Sequence, residues 1–166
     1  MTFVIRPEKP DDLANIDYVT TTAFRAAPHT NHREQLIVNA LRNSGALRVS
    51  LVAEKNGNVV GHVAVSPVNI SDGTSNWYGL GPISVLPGYQ RHGIGSQLIR
   101  RALSALQNSN AGGCVVLGEP DYYRRFGFRR IEGLVLRNIP AEYFQARLFD
   151  DANPRGIVTY HKSFSA

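Results

Sequence analysis

At 166 residues, with 43% hydrophobic and 19% charged residues, the chain is long enough to close one hydrophobic core and too apolar for a disordered tail. Lys and Arg number 18 against 13 Asp and Glu, a net charge of +5 that suits an anionic ligand. The arginines never stand more than two together, which argues against a dedicated nucleic-acid surface. No stretch reaches the roughly 18 apolar residues of a membrane span, and the first dozen residues lack the apolar run of a signal peptide. The single cysteine, Cys114, excludes an internal disulfide and offers no metal-ligand pair. The expectation is one metal-free domain over residues 1–166, working in the cytoplasm and not at a membrane.

Phe3 to Arg6 reads as a short strand stopped by Pro7, and Pro10-Asp11-Asp12 sets a proline and two acids at a helix start. Leu13, Ile16, Ala23 and Phe24 lie near one helical face. "RAAPHTNHR", Arg25 to Arg33, is a polar break with two of the five histidines, and Leu36, Ile37, Ala40 and Leu41 return to helical spacing before Gly45. The period then changes. Val49, Leu51 and Ala53 alternate with polar residues, Asn56-Gly57 is a hairpin turn, and Val59 to Val65 is the returning strand. The turn Ser71 to Thr74 leads to a further apolar strand, about Trp77 to Leu86. Ile94, Leu98, Ile99, Ala102 and Leu106 mark a helix of about four turns. "CVVLG" is a short buried strand, Pro120 to Arg125 a short helix, Val135 strand, Ala141 to Phe144 a turn of helix or loop, and Ile157 to His161 the last strand. The order predicts a mixed α+β sheet with helices on both faces, and makes the strand before the long helix parallel to the one after it.

The stretch "YQRHGIGSQLIRRAL" sets Gly93 and Gly95 at the mouth of that helix, behind Arg91 and His92. The phosphate loop G-x-x-x-x-G-K-[ST] is absent from the chain. The dinucleotide fingerprint fails because Leu98 stands where its third glycine belongs. A tight turn with no ligand stays open as a reading, although such a turn needs one glycine and this stretch has two. A helix N-terminus offers unpaired N–H groups and partial positive charge, so an anion such as a pyrophosphate is the expected visitor.

"Gln90-Arg91-His92-Gly93-Ile94-Gly95" resembles the Q/R-x-x-G-x-G/A acyl-CoA motif of the GCN5-related N-acetyltransferases, the GNAT superfamily. "Tyr123-Arg124-Arg125-Phe126-Gly127-Phe128" is similar to that family's Y-x-x-x-G-F segment, "GPISVLPGY" to its fourth strand and turn, and "VIRP" to its opening strand. "LGEPDYYRRFGF" further resembles the YhbS-like bacterial branch. The resemblance implies a three-layer GNAT-like fold: a central, mostly antiparallel sheet of about seven strands, its fourth and fifth parallel and splayed at a bulge. It implies acetyl-CoA as co-substrate, with the main chain of Ile83 and Val85, and Ser84 between them, along the pantetheine. The amides of Arg91, His92, Gly93, Ile94, Gly95 and Ser96 would surround the pyrophosphate.

The implied reaction is direct attack by a primary amine, on a small molecule or a peptide, within a ternary complex. Tyr123 would be the general acid for the departing thiolate; Tyr122 ranks behind it. For the base, Glu34, Glu54, Glu119, His29 and His32 stay open, as does a water chain, because Trp77 to Leu86 holds no acid. Cys114 reads as a buried strand residue and His62 as a satisfied sheet histidine. A non-catalytic acyl-CoA sensor on the same fold is the alternative, and dimers common in the family imply a homodimer as one oligomeric outcome.

Overall fold

The computed structural model describes residues 2–28 and 30–166. Strand β1 (Val4–Pro7) passes through a 3-10 turn at Pro10–Asp12 into helix α1 (Leu13–Arg25), followed by α2 (Glu34–Asn43). Arg6 ties this start together, meeting Asp12 at 2.7 Å and Glu54 at 2.6 Å. Strands β2 (Val49–Lys55), β3 (Asn58–Ile70) and β4 (Trp77–Val85) form an antiparallel meander around the expected Asn56-Gly57 turn. Helix α3 (Ile94–Asn108), strand β5 (Gly113–Leu117), the short helix α4 (Pro120–Arg124) and strands β6 (Leu134–Val135), β7 (Phe144–Leu148) and β8 (Gly156–Tyr160) complete the order.

The sheet runs β1-β2-β3-β4-β5-β7, with β8 on the far end of β3 and β6 beside β8. It has eight strands where the sequence suggests about seven. The added strand is β7, which follows the 3-10 turn Ala141–Tyr143; the sequence suggests a turn of helix or loop at Ala141 to Phe144 and no strand before Ile157. Its five residues are held along the whole of β5, from Leu117↔Phe144 to Gly113↔Leu148, so a non-local partner and not local periodicity makes it a strand.

Both faces are covered. Ile94, Leu98, Ile99, Ala102 and Leu106 of α3 bury against Val63, Val65, Leu80, Cys114 and Val116. On the opposite face, Ile16 and Val19 of α1 and Val38 of α2 meet Val52 and Ala64. Farther along that face, Trp77, Val115, Phe144 and Val158 form a separate cluster.

The feature that positions the site is where β4 and β5 part. They pair in parallel only from Trp77↔Gly113 to Gly79↔Val115. Just beyond, the β3–β4 register steps from Val65↔Leu80 to Val63↔Ile83, so β4 carries one extra residue there. Such a bulge bends its strand and ends local pairing. Beyond the bulge, Ile83 to Val85 stay paired to β3 but have no partner on the β5 side.

Candidate active site

The cleft opened by that divergence has a volume of about 520 Å³ and is walled by Ile83, Ser84 and Val85 of β4, by Tyr89 to Ser96 in part, and by Tyr122 and Arg125. The turn at its mouth is fixed locally. Gln90 Nε2 donates to the Val85 carbonyl at 3.1 Å. Arg91 takes φ +65° and Gly93, the N-cap residue of α3, takes φ +86°. For a residue with a side chain that left-handed conformation costs about 1–2 kcal/mol, a cost that Arg91 bears and that glycine at 93 avoids. Nothing lies within 4 Å of the position a Gly93 Cβ would take, and the glycine leaves that side open.

Gly95 has a different reason. A Cβ there would stand 3.2 Å from the Tyr122 hydroxyl, which therefore reaches the first turn of α3. The first helical bond recorded at this end runs from Gln97 N–H to the Gly93 carbonyl at 3.1 Å. The amides ahead of it have no intrahelical acceptor and carry the positive end of the helix dipole. Arg91 and Arg125 line the same cleft, and the Arg125 guanidinium lies 4.8 Å from the Tyr122 ring centre.

Of the residues expected to hold a coenzyme, Ile83, Ser84, Val85, Arg91, Gly93, Gly95 and Ser96 line this cleft. His92 is exposed and lies off it, and the Ile94 side chain is core, 1% exposed. For these two only a main-chain contribution is open. Tyr89, Gln90, Tyr122 and Arg125 also line the cleft. The signal for Tyr122 and Arg125 was their place in the "YYRRFGF" stretch, but a five-residue helix gives no face by periodicity.

Tyr123 is not among the lining residues. It is 9% exposed, in an aromatic nest with ring centres 5.0 Å from Tyr122, 6.4 Å from Phe126 and 5.9 Å from Phe128. Its ring lies over Gly118, where a Cβ would come within 2.4 Å. Burial pushes its phenol up to about 12, so it stays protonated across the neutral range. Cys114 is fully buried and its thiol is pushed up by burial, which makes it inert as a nucleophile.

The candidate bases scatter. Glu54 is paired to Arg6. Glu34 accepts from the Thr30 hydroxyl at 2.5 Å, while its other oxygen is buried without a partner. Glu119, just ahead of α4, and His32 are exposed, and His29 lies outside the described residues. None of Glu34, Glu54, Glu119 or His32 lines the cleft. Among the described residues no group of three or more His, Cys, Asp or Glu is placed to hold a metal ion, and no helix is long and apolar enough to cross a membrane.

A twisted sheet split between its central parallel strands, with a glycine-marked helix mouth in the split, is the architecture of a coenzyme-dependent acyltransferase. Residues 47–130 match the sequence profile described as the acetyltransferase (GNAT) domain. The chain is 33% identical to the Escherichia coli (strain K12) N-acetyltransferase YhbS over 98% of both chains. It is 30% identical to YjhQ of the same strain over 80% of this chain and 71% of that one. Among solved structures it resembles a GNAT family acetyltransferase from Brucella melitensis in complex with acetyl-CoA, with TM-score 0.88, 47% identity and 98% of both chains covered. It also resembles Escherichia coli YhbS in complex with CoA, with TM-score 0.89, 32% identity and coverage of 99% and 92%. The chain belongs to the GNAT acetyltransferase family.

Proposed function

We propose that this protein, acting as one domain over residues 1–166, moves an acetyl group from acetyl-CoA to a primary amine. The observation that carries the reading is the α3 mouth opening its unpaired amides onto a 520 Å³ cleft between the parted strands. The residues present fit the coenzyme. The amides of Arg91 to Ser96, with Arg91 and Arg125, suit a diphosphate. The unpaired edge of β4 at Ile83 to Val85 suits an extended amide-containing arm, which would add to the sheet as a strand does.

Acetyl-CoA supplies the acyl group as a thioester. The chain's own part is to hold that thioester in the split, exclude water and donate a hydrogen bond to the departing sulfur. Tyr123 is proposed as that donor, because its phenol is neutral at working pH and sits next to the cleft residue Tyr122. Tyr123 does not line the open cleft, so the reading requires the thioester to come deeper than that cleft.

The experiment is an acceptor screen that detects free thiol, with lysine peptides, peptide N-termini, polyamines and aminoglycosides offered beside acetyl-CoA. Amine-dependent thiol release supports the proposal. Tight coenzyme binding with no release for any amine supports the second reading, a sensor of acyl-CoA, for which the specific observation is that β4 carries no carboxylate.

A further inference from the structure

Three arginines gather around one buried ring beside the cleft. Phe126, just past α4, is 2% exposed. The Arg100 guanidinium of α3 lies 5.0 Å from its ring centre, and that of Arg125 lies 6.0 Å from the same centre. Arg125 also lines the cleft. Arg147 of β7 brings a third cation, its Nη1 donating to the Phe126 carbonyl at 3.0 Å.

Like charges brought this close repel, and carboxylates normally offset them. Here none does. Among the described residues the arginines in ion pairs are Arg6, Arg42 and Arg124. Asp121, the acid of α4, goes to Arg124 at 3.2 Å and leaves Arg125 uncompensated. A cation over an aromatic face gains from the ring, and its stem covers apolar surface. That packing accounts for one arginine on Phe126. It does not account for two, because an unbranched apolar residue would cover the ring without the repulsion.

The place of the pair shows what would compensate it. Arg100 follows Ser96 by four residues on α3, and residues so spaced are neighbours on one helical face. Helical side chains tilt toward the N-terminus, so Arg100 leans back over the turn that carries Ser96, a residue of the cleft wall. The two cations therefore stand on the α4 side of the cleft, one helical turn past the amides proposed for the diphosphate. A single sugar bridges that distance. In coenzyme A the ribose is joined to the diphosphate at its 5′ carbon and carries a phosphomonoester at its 3′ carbon. Such a group has a charge of about −1.5 to −2 at pH 7 and three acceptor oxygens, which guanidinium forks match.

We infer that Arg100 and Arg125 form a second anion site, which takes the 3′-phosphate of the coenzyme and makes the protein selective for the 3′-phosphorylated form. The inference rests on the coenzyme reading above and extends it from the diphosphate to the ribose phosphate. Arg125, on the cleft wall, faces both anions. Arg100 stands behind that wall and serves the 3′-phosphate alone.

Calorimetric titration with CoA and with dephospho-CoA tests this in wild type, Arg100→Met, Arg125→Met and Arg101→Met. Methionine keeps an unbranched cover on Phe126 and removes the charge. Arg101 is the control, exposed on the same helix but turned about 100° from Arg100. An exposed charge pair contributes at most about fivefold in affinity, so two arginines on a dianion should make wild type prefer CoA by about tenfold. Arg100→Met should cut that preference to about threefold or less by weakening CoA alone. Arg125→Met should weaken both ligands, and Arg101→Met should keep the preference. The preference should also shrink as the pH falls below about 6, where the phosphate regains its second proton. A wild type that binds both ligands alike overturns the inference and leaves the diphosphate reading standing. A preference that Arg100→Met and Arg101→Met reduce equally reports net charge and not a site, and overturns it too. A protein that binds neither ligand overturns the coenzyme reading and this inference together.

Discussion

Removing one oxygen from Tyr123 separates its chemistry from its packing. The ring is held by Tyr122, Phe126 and Phe128 whether or not the hydroxyl is present. With the phenol pushed up to about 12 and a free thiol near 8.5, complete proton transfer to a thiolate is uphill by about 3.5 units, or about 5 kcal/mol. The hydroxyl therefore acts as a hydrogen-bond donor to developing charge and not as a proton source that empties. Hydrogen bonds to charged groups contribute about 1.5–3 kcal/mol. Tyr123→Phe should then lower kcat by about 10- to 150-fold, with no drop in Tm. Steady-state thiol release gives kcat, and calorimetric titration gives coenzyme affinity. Tyr122→Phe is the internal control: its hydroxyl reaches α3 at Gly95, so it should weaken coenzyme binding and leave kcat near wild type. A Tyr123→Phe enzyme within twofold of wild type, or a Tyr122→Phe enzyme carrying the kcat loss, refutes the assignment.

Other outcomes follow from particular contacts. Gly93→Ala must hold φ +86° with a Cβ and should cost about 1–2 kcal/mol in denaturant unfolding, besides weakening the coenzyme. Gly113→Ala would place its Cβ 2.4 Å from the Trp77 ring and should destabilise by about 1–3 kcal/mol without touching the cleft. His62 is lowered from 6.5 to about 4 by burial, Arg42 adding to the effect and Glu8 opposing it. The unfolded chain therefore binds its proton first as pH falls, and stability present above about 6.5 is lost progressively toward 4. Chemical unfolding across that range should show the slope in wild type and a shallower one in His62→Gln.

The parts of this molecule that were legible in the sequence are those written in local chemistry. The Asn56-Gly57 hairpin, the α3 apolar stripe and the two glycines before it each depend on near neighbours, and each stands where periodicity or turn chemistry puts it. Of the residues lining the cleft, Gly93 and Gly95 belong to that local pattern, whereas Ile83 to Val85 were expected only from the family resemblance. What escaped depends on distant partners. Strand β7 exists because β5 offers it a full ladder. Tyr122 reaches the cleft because α4 is set against α3, and five helical residues announce no face. Glu8, Ser50 and His62 come from three separate segments, and only the meander brings them into one chain of hydrogen bonds. Even Gly93 and Gly95 have separate causes, a left-handed backbone at one and the Tyr122 hydroxyl at the other.

The account turns on the α3 mouth gripping a coenzyme diphosphate, and amide chemical shifts followed during a CoA titration test that directly. The largest shifts should fall on Arg91 to Ser96 and on Ile83 to Val85, with saturation at 100 times Kd adding about 2.7 kcal/mol to stability. Shifts confined to other parts of the sheet, or a protein that ignores CoA and responds to ATP or a nicotinamide dinucleotide, would contradict it.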